Sequence, residues 1–333
     1  MTNNPDISVV IPLFNKGQYI SRTIQSVLNQ SVQNFEIIVV NGQSTDEGPF
    51  SVQSFQDKRI VLIEQKGSGV SSARNEGIYN SKAELIAFLD ADDEWMHDHL
   101  ETLLRLFKNY PHAGGYSTAY LKKTLEGKIH RPNFIGIPKK PWEGILDSYF
   151  KSAAFGSSPL LTSAVGVPKS ILREMGGFNE KVWLGEDIEL WARIAFKYPI
   201  AFSWKGIVIY HTEAANRACR RIEPVEEDIV CRTAREAIEY GNVSVTNKEY
   251  ILEYIAKKQI QSACRNLLAG RPDLAKIILK KCNTNYFKKE KAFAQLWAYL
   301  PNSFFQISRY LKIRIESVLP GDSTIITKLF KLA

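Results

Sequence analysis

Short apolar runs alternate with helix-like patterns through the first 112 residues of the chain. Four runs have the length and composition of buried strands, at residues 7–11, 35–40, 60–63 and 85–89. Between the first two, Ile20, Ile24 and Leu28 recur at helical spacing. Strands that alternate with helices in this way predict an α/β fold, with a mostly parallel sheet covered by helices on both faces.

Acidic residues cluster where the fourth of these strands ends. Asp90, Asp92 and Asp93 directly follow the apolar run 85–89. Carboxylates this close together are costly to hold without a cation, which favours a divalent metal that also carries a polyphosphate. The alternative is a solvated acidic loop that caps the next helix.

Polar residues follow two other strands of the predicted sheet. Asn15 comes after the first strand, and Asn41 comes after the second. Ligands of parallel α/β sheets bind at the carboxyl ends of the strands. We therefore expect these residues and Asp90 to converge on one edge of the sheet.

Three positions outside that edge could also do chemistry. Asp187 follows Glu186 at the predicted start of a helix, where it could act as a base or merely complement the helix dipole. His211 ends an apolar run and suits a metal site only if it faces Asp92. Arg74 could bind a phosphate through its planar guanidinium or be an ordinary surface arginine.

The rest of the chain is less regular. Strands are predicted at 113–121, 160–167 and 200–210, a loop at 122–141, and helices alone from about residue 225. The net charge of +8 lies in the C-terminal part, since residues 246–333 contain 16 Lys and Arg against 6 Asp and Glu. This excess favours an anionic partner, either membrane lipid or nucleic acid. The alternative is a solvated helical face rich in lysine.

Several classes of protein are disfavoured by what the sequence lacks. The four cysteines form no CxxC pair, and no Walker A, GxGxxG, GxSxG or HExxH motif occurs. No apolar stretch approaches a membrane span, and residues 1–6 lack signal-peptide character. We expect a cytoplasmic protein, with a peripheral position on the inner face of the plasma membrane as a further possibility.

With these motifs in hand, the chain resembles the family 2 glycosyltransferases, which have the GT-A fold. The matching segments stand in the family's order, at 7–15, 26–31, 35–40, 44–46, 69–75, 86–93, 176–180 and 185–187. The resemblance covers about residues 5–215. It implies a Rossmann-like GT-A catalytic domain at 1–224, with a nucleotide-binding half at 1–112 and an acceptor half at 113–224. Residues 225–333 would form a helical, basic C-terminal extension.

The resemblance also implies roles for individual residues. Asp90 would contact the ribose, and Asp92 would bind Mn²⁺ or Mg²⁺ with help from His211. Asp187 would be the catalytic base. The nucleotide would be bound by Pro12, Phe14, Asn15, Asn41, Arg74, Asp90 and Asp92, and the acceptor by Glu186 and Trp183.

One departure concerns Asn41-Gly42, where many members of the family carry Asp-Asp or Asn-Asp and an acid often accepts a hydrogen bond from the nucleotide base. The nucleotide therefore stays open, with UDP as first choice and GDP and dTDP behind it. The implied activity is metal-dependent, inverting transfer from a nucleotide-diphosphate sugar to a hydroxyl of a glycan or lipid-linked glycan, as in bacterial polysaccharide or O-antigen synthesis.

Two other functions are weighed against this one. A nucleotidyltransferase that makes sugar nucleotides would be expected to carry a Gly-rich basic loop after the first strand, but residues 12–17 contain one Gly and one Lys. A non-catalytic nucleic-acid binder would use the basic tail, which has no recognised nucleic-acid motif. Basic residues interleaved with aromatics at 288–314 instead suit a helix lying on an anionic membrane, or a helix packed on the catalytic domain.

Overall fold

A computed structural model describes residues 4–300 of the chain, except residues 125, 215, 216, 218–220, 242 and 244. The segment beyond residue 300, which carries part of the predicted membrane-binding pattern, lies outside the described residues.

Within the described residues, ten strands form one mixed sheet. They are β1 Ile7–Leu13, β2 Phe35–Asn41, β3 Ile60–Glu64, β4 Leu85–Phe88, β5 Glu94–Trp95, β6 Gly115–Lys123, β7 Ile129–His130, β8 Glu143–Ile145, β9 Val165–Pro168 and β10 Ile200–His211. The order along the main path is β3-β2-β1-β4-β9-β6-β10-β5, with β7 beside β6 and β8 beside β10.

The first half of the sheet is parallel. β1 pairs in parallel with β2 and β4, and β2 pairs in parallel with β3. β9 runs antiparallel to β4 and β6, while β6 and β10 are parallel. The change of strand order at β1 opens a crevice at the carboxyl edge, where β1 and β4 end side by side.

Helices cover this sheet and continue beyond it. They are α1 Gly17–Leu28, α2 Gly48–Gln53, α3 Gly69–Asn80, α4 His99–Asn109, α5 Tyr149–Phe155, α6 Lys169–Glu174, α7 Glu186–Lys197, α8 Ile229–Glu239, α9 Val245–Leu268, α10 Pro272–Lys281 and α11 Lys288–Trp297. None of the helices in the described part of the chain is long and apolar enough to cross a membrane.

The periodicity of the sequence explains the first elements. β1 buries nearly every residue because both of its faces are covered, and Ile20, Ile24 and Val27 form the buried side of α1. The α/β prediction, with a sheet flanked by helices, is confirmed.

Among the described residues, the hydrophobic core has two main parts, besides a small cluster of Ile38, Val40 and Ala73 between β2 and α3. The larger cluster runs from Ile7 in β1 to Ile255 in the first half of α9. The smaller one lies among the second half of α9, α10 and α11, and includes Leu267, Leu279 and Trp297. The helical region therefore shares its first apolar layer with the sheet domain.

Two predictions differ from the structure: the loop predicted at 122–141 contains the end of β6 and the short strand β7, and the strand predicted at 160–167 has a different form. Residues 160–167 were expected to form a strand, but Thr162–Ala164 is a 3₁₀ turn and β9 begins only at Val165. The turn closes through a hydrogen bond from the Ala164 N–H to the Leu161 carbonyl, at 2.7 Å. The hydroxyl groups of Thr162 and Ser163 bind acids of the neighbouring site, which favours the turn over an extended ladder.

Candidate active site

The acidic turn after β4 lies in the crevice at the carboxyl edge of the sheet. β4 is fully buried, and the Leu89 N–H continues its pairing by donating to the Val10 carbonyl at 3.0 Å. The chain then turns, with the Asp93 N–H donating to the Asp90 carbonyl at 3.0 Å. The turn projects the side chains of Asp90 and Asp92 away from the end of the strand.

Arg74 joins this turn to the start of α7. Its guanidinium donates to Asp90 Oδ1 at 2.9 Å and to Glu186 Oε1 at 2.8 Å, and only 4% of its side chain is exposed. Burial alone would lower the pKa of Arg74, but the charges of Asp90, Glu186 and Asp187 outweigh it and raise that pKa. The guanidinium therefore holds a fixed positive charge between two acidic motifs.

For the pKa of Glu186, burial and the charge of Asp187 outweigh the contact with the charged partner. Burial, followed by the charge of Asp187, raises the pKa of Glu186, while the contact with Arg74 lowers it. Its carboxyl group is committed to Arg74 in this structure, at the N-terminal end of α7.

Asp187 occupies the first turn of α7 and is half-buried. The helix begins after Gly185, which has φ = 78° and therefore adopts the left-handed conformation that glycine tolerates. Asp187 Oδ2 accepts a hydrogen bond from Thr162 Oγ1 at 2.7 Å, and Oδ1 accepts one from the Ile188 N–H at 2.7 Å. Its carboxylate is thus fixed in orientation by two donors.

The 3₁₀ turn connects the two acidic motifs a second time. Thr162 binds Asp187, and the Ser163 hydroxyl donates to Asp93 Oδ2 at 2.5 Å. The Asp90 N–H donates to the same Ser163 hydroxyl at 3.2 Å. Sequence reasoning missed Thr162 and Ser163, although two hydroxyl residues inside an otherwise apolar run were an available signal.

Asp93 supports the turn from within. Its Oδ1 also accepts a hydrogen bond from the His211 N–H at 2.9 Å, and the residue is fully buried. Burial, followed by the charges of Asp92 and Asp90, raises the pKa of Asp93. This carboxyl group is a structural tie between the turn and β10.

Asp92 is contacted from α1. Lys16 Nζ lies 2.7 Å from Asp92 Oδ2, and Arg22 Nη2 donates to the Asp92 carbonyl at 2.7 Å. The Thr23 hydroxyl contacts the carbonyls of Ala91 and Asp93, at 3.0 and 2.8 Å. No motif in the sequence pointed to these three residues of the first helix and its cap.

His211 lies between two glutamates. Its Nε2 is 2.5 Å from Glu94 Oε1 and its Nδ1 is 2.6 Å from Glu213 Oε1. Across the described residues, no group of three or more His, Cys, Asp or Glu side chains is arranged to hold a metal. The role of His211 in metal binding stays a prediction.

A divalent cation would nevertheless suit Asp92 chemically. Carboxylate oxygens are ligands that Mg²⁺ and Mn²⁺ prefer. The ammonium group of Lys16 already stands at Asp92 Oδ2 as a cation, with 12% of the Lys16 side chain and 11% of the Asp92 side chain exposed. The carboxylate is therefore presented to a positive partner in a sheltered position.

The predicted nucleotide residues line the same edge. Asn15 has φ = 50°, and its Oδ1 accepts a hydrogen bond from the Thr45 N–H at 2.8 Å. Asn41 donates to Glu64 Oε2 at 2.8 Å and accepts from the Ser44 N–H at 3.0 Å. These two hydrogen bonds fix the orientation of the Asn41 amide. An acid nevertheless lies beside it, because Glu64 occupies the paired position on the neighbouring strand β3.

The remaining predicted residues differ in exposure. Pro12 lies within β1, whereas the Phe14 side chain is 55% exposed and that of Trp183 is 40% exposed. Trp191, which is not among them, is buried against Phe88 and Phe178. The two exposed rings are available to stack on a ligand.

Comparison with known proteins gives a family match in the first half of the chain. Residues 8–162 match the family described as Glycosyl transferase family 2. An uncharacterized glycosyltransferase from Rickettsia bellii is 32% identical over 194 residues, which are 57% of this chain. The chain spans only 26% of that relative's own length. These findings confirm the resemblance noted in the sequence.

Solved structures share the fold. The structure of S. aureus TarS 1–349 in complex with UDP-GlcNAc matches with a TM-score of 0.66 at 15% identity, over 94% of this chain and 91% of that chain. The mannosyltransferase PcManGT from Pyrobaculum calidifontis, in complex with GDP-Man and Mn²⁺, matches with a TM-score of 0.58 at 16% identity, over 93% and 88% of the two chains. The fold prediction of a GT-A sheet is therefore confirmed.

Proposed function

The chain carries a family 2 glycosyltransferase domain, and on that premise we propose that it transfers a sugar from a nucleotide-diphosphate sugar to a hydroxyl of a glycan or lipid-linked glycan. The observation that carries this proposal is the position of Arg74, whose guanidinium contacts Asp90 after β4 and Glu186 at the start of α7. One guanidinium therefore joins the proposed donor-binding acid, Asp90, to the residue that precedes the proposed base, Asp187.

Asp187 is the proposed catalytic base. It would take the proton of the acceptor hydroxyl while that oxygen bonds to the anomeric carbon. The bond from the anomeric carbon to the diphosphate oxygen breaks on the opposite face, which inverts the stereochemistry. The contacts from Thr162 and Ile188 hold the carboxylate in one orientation, and a well-placed base typically contributes about 10²–10⁴-fold to the rate.

The donor is proposed to lie along the edge formed by β1, β2 and β4. Asp90 would contact the ribose, and Pro12, Phe14, Asn15, Asn41 and Arg74 would line the nucleotide pocket. UDP-sugars remain the first choice because the fold neighbour TarS was solved with UDP-GlcNAc, although PcManGT was solved with GDP-Man. The Glu64 carboxylate beside Asn41 can accept a hydrogen bond from a base imide in either case.

Asp92, with His211 as the second predicted ligand, would hold Mn²⁺ or Mg²⁺. When bound, such an ion neutralises charge that grows on the departing diphosphate. That the fold neighbour PcManGT was solved with Mn²⁺ supports a divalent ion in this proposal. Glu186 and the exposed ring of Trp183 are the proposed acceptor contacts, since they lie beside Asp187 in sequence.

Two broader proposals concern the whole chain. We take residues 1–224 as the catalytic domain, with halves at 1–112 and 113–224, and residues 225–333 as a basic helical region. That region is proposed to lie on an anionic membrane at the inner face of the plasma membrane, where a lipid-linked acceptor would be available. Exposed apolar side chains at Ile277, Leu296 and Tyr299 support this surface.

A sugar-nucleotide panel tests the function directly. A ligand that binds only the folded protein raises stability by RT ln(1 + [L]/Kd), so thermal unfolding with Mn²⁺ should single out the donor. Asp187→Asn should retain the shift and lose about 10²–10⁴-fold in transfer rate. Asp92→Ala should lose the metal-dependent part of the shift.

Asp273→Asn is the matched control, because Asp273 lies in α10 and pairs with Arg271 far along the chain from the site. It should behave as the parent in both assays. Transfer by Asp187→Asn at the parent rate would place the base elsewhere, and a panel with no stabilising nucleotide would refute the proposed activity.

A further inference from the structure

We propose that Lys16 is an internal counter-cation of Asp92 that a divalent metal has to displace, so that the metal binds tightly only together with the donor diphosphate. The inference rests on the proposed function, because it takes Asp92 as the metal-binding acid. It adds a role for a residue to which the sequence motifs assign none.

The contact between the two side chains is close and sheltered. Lys16 Nζ lies 2.7 Å from Asp92 Oδ2, and about nine-tenths of each side chain is buried. An ion pair in such a position is screened far less by water and salt than one on the surface. The Lys16 ammonium group therefore competes with any other cation for Asp92 Oδ2.

The backbone of Lys16 is held in place. Lys16 precedes α1, and its carbonyl accepts the N–H groups of Tyr19 and Ile20, at 2.9 and 3.0 Å. The Gly17 N–H donates to Asp46 Oδ2 at 2.7 Å. Only the four-carbon side chain needs to move for the ammonium group to leave Asp92.

Asp90 and Asp92 each contact a basic side chain in this structure. Arg74 pairs with Asp90 as well as with Glu186, Lys16 pairs with Asp92, and Arg22 donates to the Asp92 carbonyl. A divalent ion placed on Asp92 would be repelled strongly by a retained ammonium group, because two positive charges would then lie at close range. The ammonium group therefore has to withdraw.

Lys16 can withdraw from its acid more easily than Arg74 can. The planar guanidinium of Arg74 is held between a carboxylate from the turn after β4 and one from the start of α7. Lysine carries a compact charge on a flexible stem. A diphosphate would supply oxygens to the metal and, at the same time, a negative partner for the displaced ammonium group, which couples the two binding events.

Mn²⁺ binding without nucleotide tests the inference. Free Mn²⁺ gives an electron paramagnetic resonance signal that is lost on binding, so the full-length protein can be titrated directly. Lys16→Met removes the ammonium group and keeps most of the stem. It should bind Mn²⁺ about tenfold more tightly than the parent in the absence of nucleotide, as expected for the loss of a partly buried competing charge.

Three comparisons make the result specific. Lys16→Gln, a second neutral variant, should show the same gain, and Lys16→Arg should not. Adding Asp92→Asn to Lys16→Met should abolish the gain. Lys82→Met is the matched control, since Lys82 is an exposed lysine 3.8 Å from Glu36 and should leave Mn²⁺ affinity unchanged.

Mn²⁺ affinity of both neutral variants within twofold of the parent, or below it, would overturn the inference. Titration of the parent with Mn²⁺ plus UDP or GDP tests the proposed function separately. A gain in Lys16→Met with no nucleotide-dependent binding in the parent would support the counter-cation and refute the proposed donor chemistry. The reverse pattern would refute the counter-cation alone.

Discussion

Arg74 places its guanidinium between carboxylates that come from two distant parts of the chain. Its side chain is almost fully buried, and it also lies over the ring of Phe178 at 5.2 Å. A buried charge is tolerated only when opposite charges compensate for the lost hydration. The side chain is therefore both a structural tie and the fixed positive charge of the site.

Replacing Arg74 with Met should destabilise the protein by about 3 kcal/mol, because two acids lose their counter-charge in a sheltered position. Arg105→Met is the control. Arg105 makes a similar contact with Glu143 at 2.7 Å, but a third of its side chain is exposed, so its loss should cost about 1 kcal/mol or less. Urea unfolding of both variants measures the difference.

The deficit of Arg74→Met should also depend on pH. Without the guanidinium, burial raises the pKa of Glu186 further, and a raised carboxyl pKa means that stability is lost as pH rises through it. The deficit should be larger at pH 8 than at pH 5. Equal losses in the Arg74 and Arg105 variants would show that Arg74 is no more than a surface ion pair.

At the scale of elements, α4 is joined to β10 through the ring of His99. His99 begins α4, is fully buried, and its Nδ1 lies 2.7 Å from the Gly206 carbonyl. Since a carbonyl can only accept, Nδ1 carries the proton. Gly206 has φ = 67°, and the register between β10 and β6 shifts next to it, so the ring secures an irregular part of the strand.

This junction predicts a pH effect. Burial lowers the pKa of His99 from 6.5 to about 4, against the opposing influence of the Gly206 contact. The folded protein thus prefers the neutral ring, and the stability it contributes is present above pH 6.5 and is lost as pH falls towards 4. The difference amounts to about 3 kcal/mol.

His99→Asn retains a donor for Gly206 and removes the titrating ring. Between pH 7 and pH 4 the parent should lose about 3 kcal/mol more unfolding free energy than this variant. Denaturant unfolding at the two pH values gives the comparison. Equal losses of unfolding free energy in the parent and the variant would show that protonation of His99 does not destabilise the folded protein.

A second junction joins the C-terminal helices to the sheet domain. Lys257 in α9 donates to the carbonyls of Ala153 and Gly156 at the end of α5, at 2.7 and 2.9 Å. Burial lowers the pKa of Lys257 to about 8. The same helix places Tyr254 in the larger core cluster, so α9 belongs to both cores.

At the scale of the whole molecule, the helical region combines basic charge with exposed apolar side chains. The Lys276 ammonium group lies 4.1 Å from the centre of the Tyr299 ring, which is itself 76% exposed. Leu296 is 72% exposed on α11. Side chains of this kind insert into the interfacial layer of an anionic membrane.

Co-sedimentation with liposomes tests this surface. The full chain should bind anionic vesicles more strongly than neutral ones, and less so at high salt. The double variant Leu296→Glu, Tyr299→Glu should bind about thirtyfold more weakly, because each of the two lost apolar contacts costs on the order of 1 kcal/mol.

Tyr79→Glu is the matched control for this surface. Tyr79 is 82% exposed but lies in α3, away from the C-terminal helices in sequence, so its replacement should leave vesicle binding unchanged. Equal binding of the parent to anionic and neutral vesicles would refute the membrane proposal, as would equal binding of the parent and the double variant.

The sequence alone determined the elements whose patterns are local. The strands β1, β2 and β4 and the helices α1 and α7 follow from apolar runs and helical spacing, because side-chain periodicity states which face of an element is buried. The sequence also placed Asn15, Asn41 and Asp90 at the ends of strands, and parallel pairing brings strand ends together at one edge.

Only the tertiary structure decided how distant polar groups pair. Arg74 and Glu186 are 112 positions apart, and Lys16 and Asp92 are 76 apart. No local pattern links such residues, since their contact depends on how helices pack against the sheet and which loops face the crevice. The 3₁₀ turn at 162–164 shows the same effect. Thr162 and Ser163 donate hydrogen bonds to two acids that are distant in sequence, and the β-like composition of the run around them does not indicate these contacts.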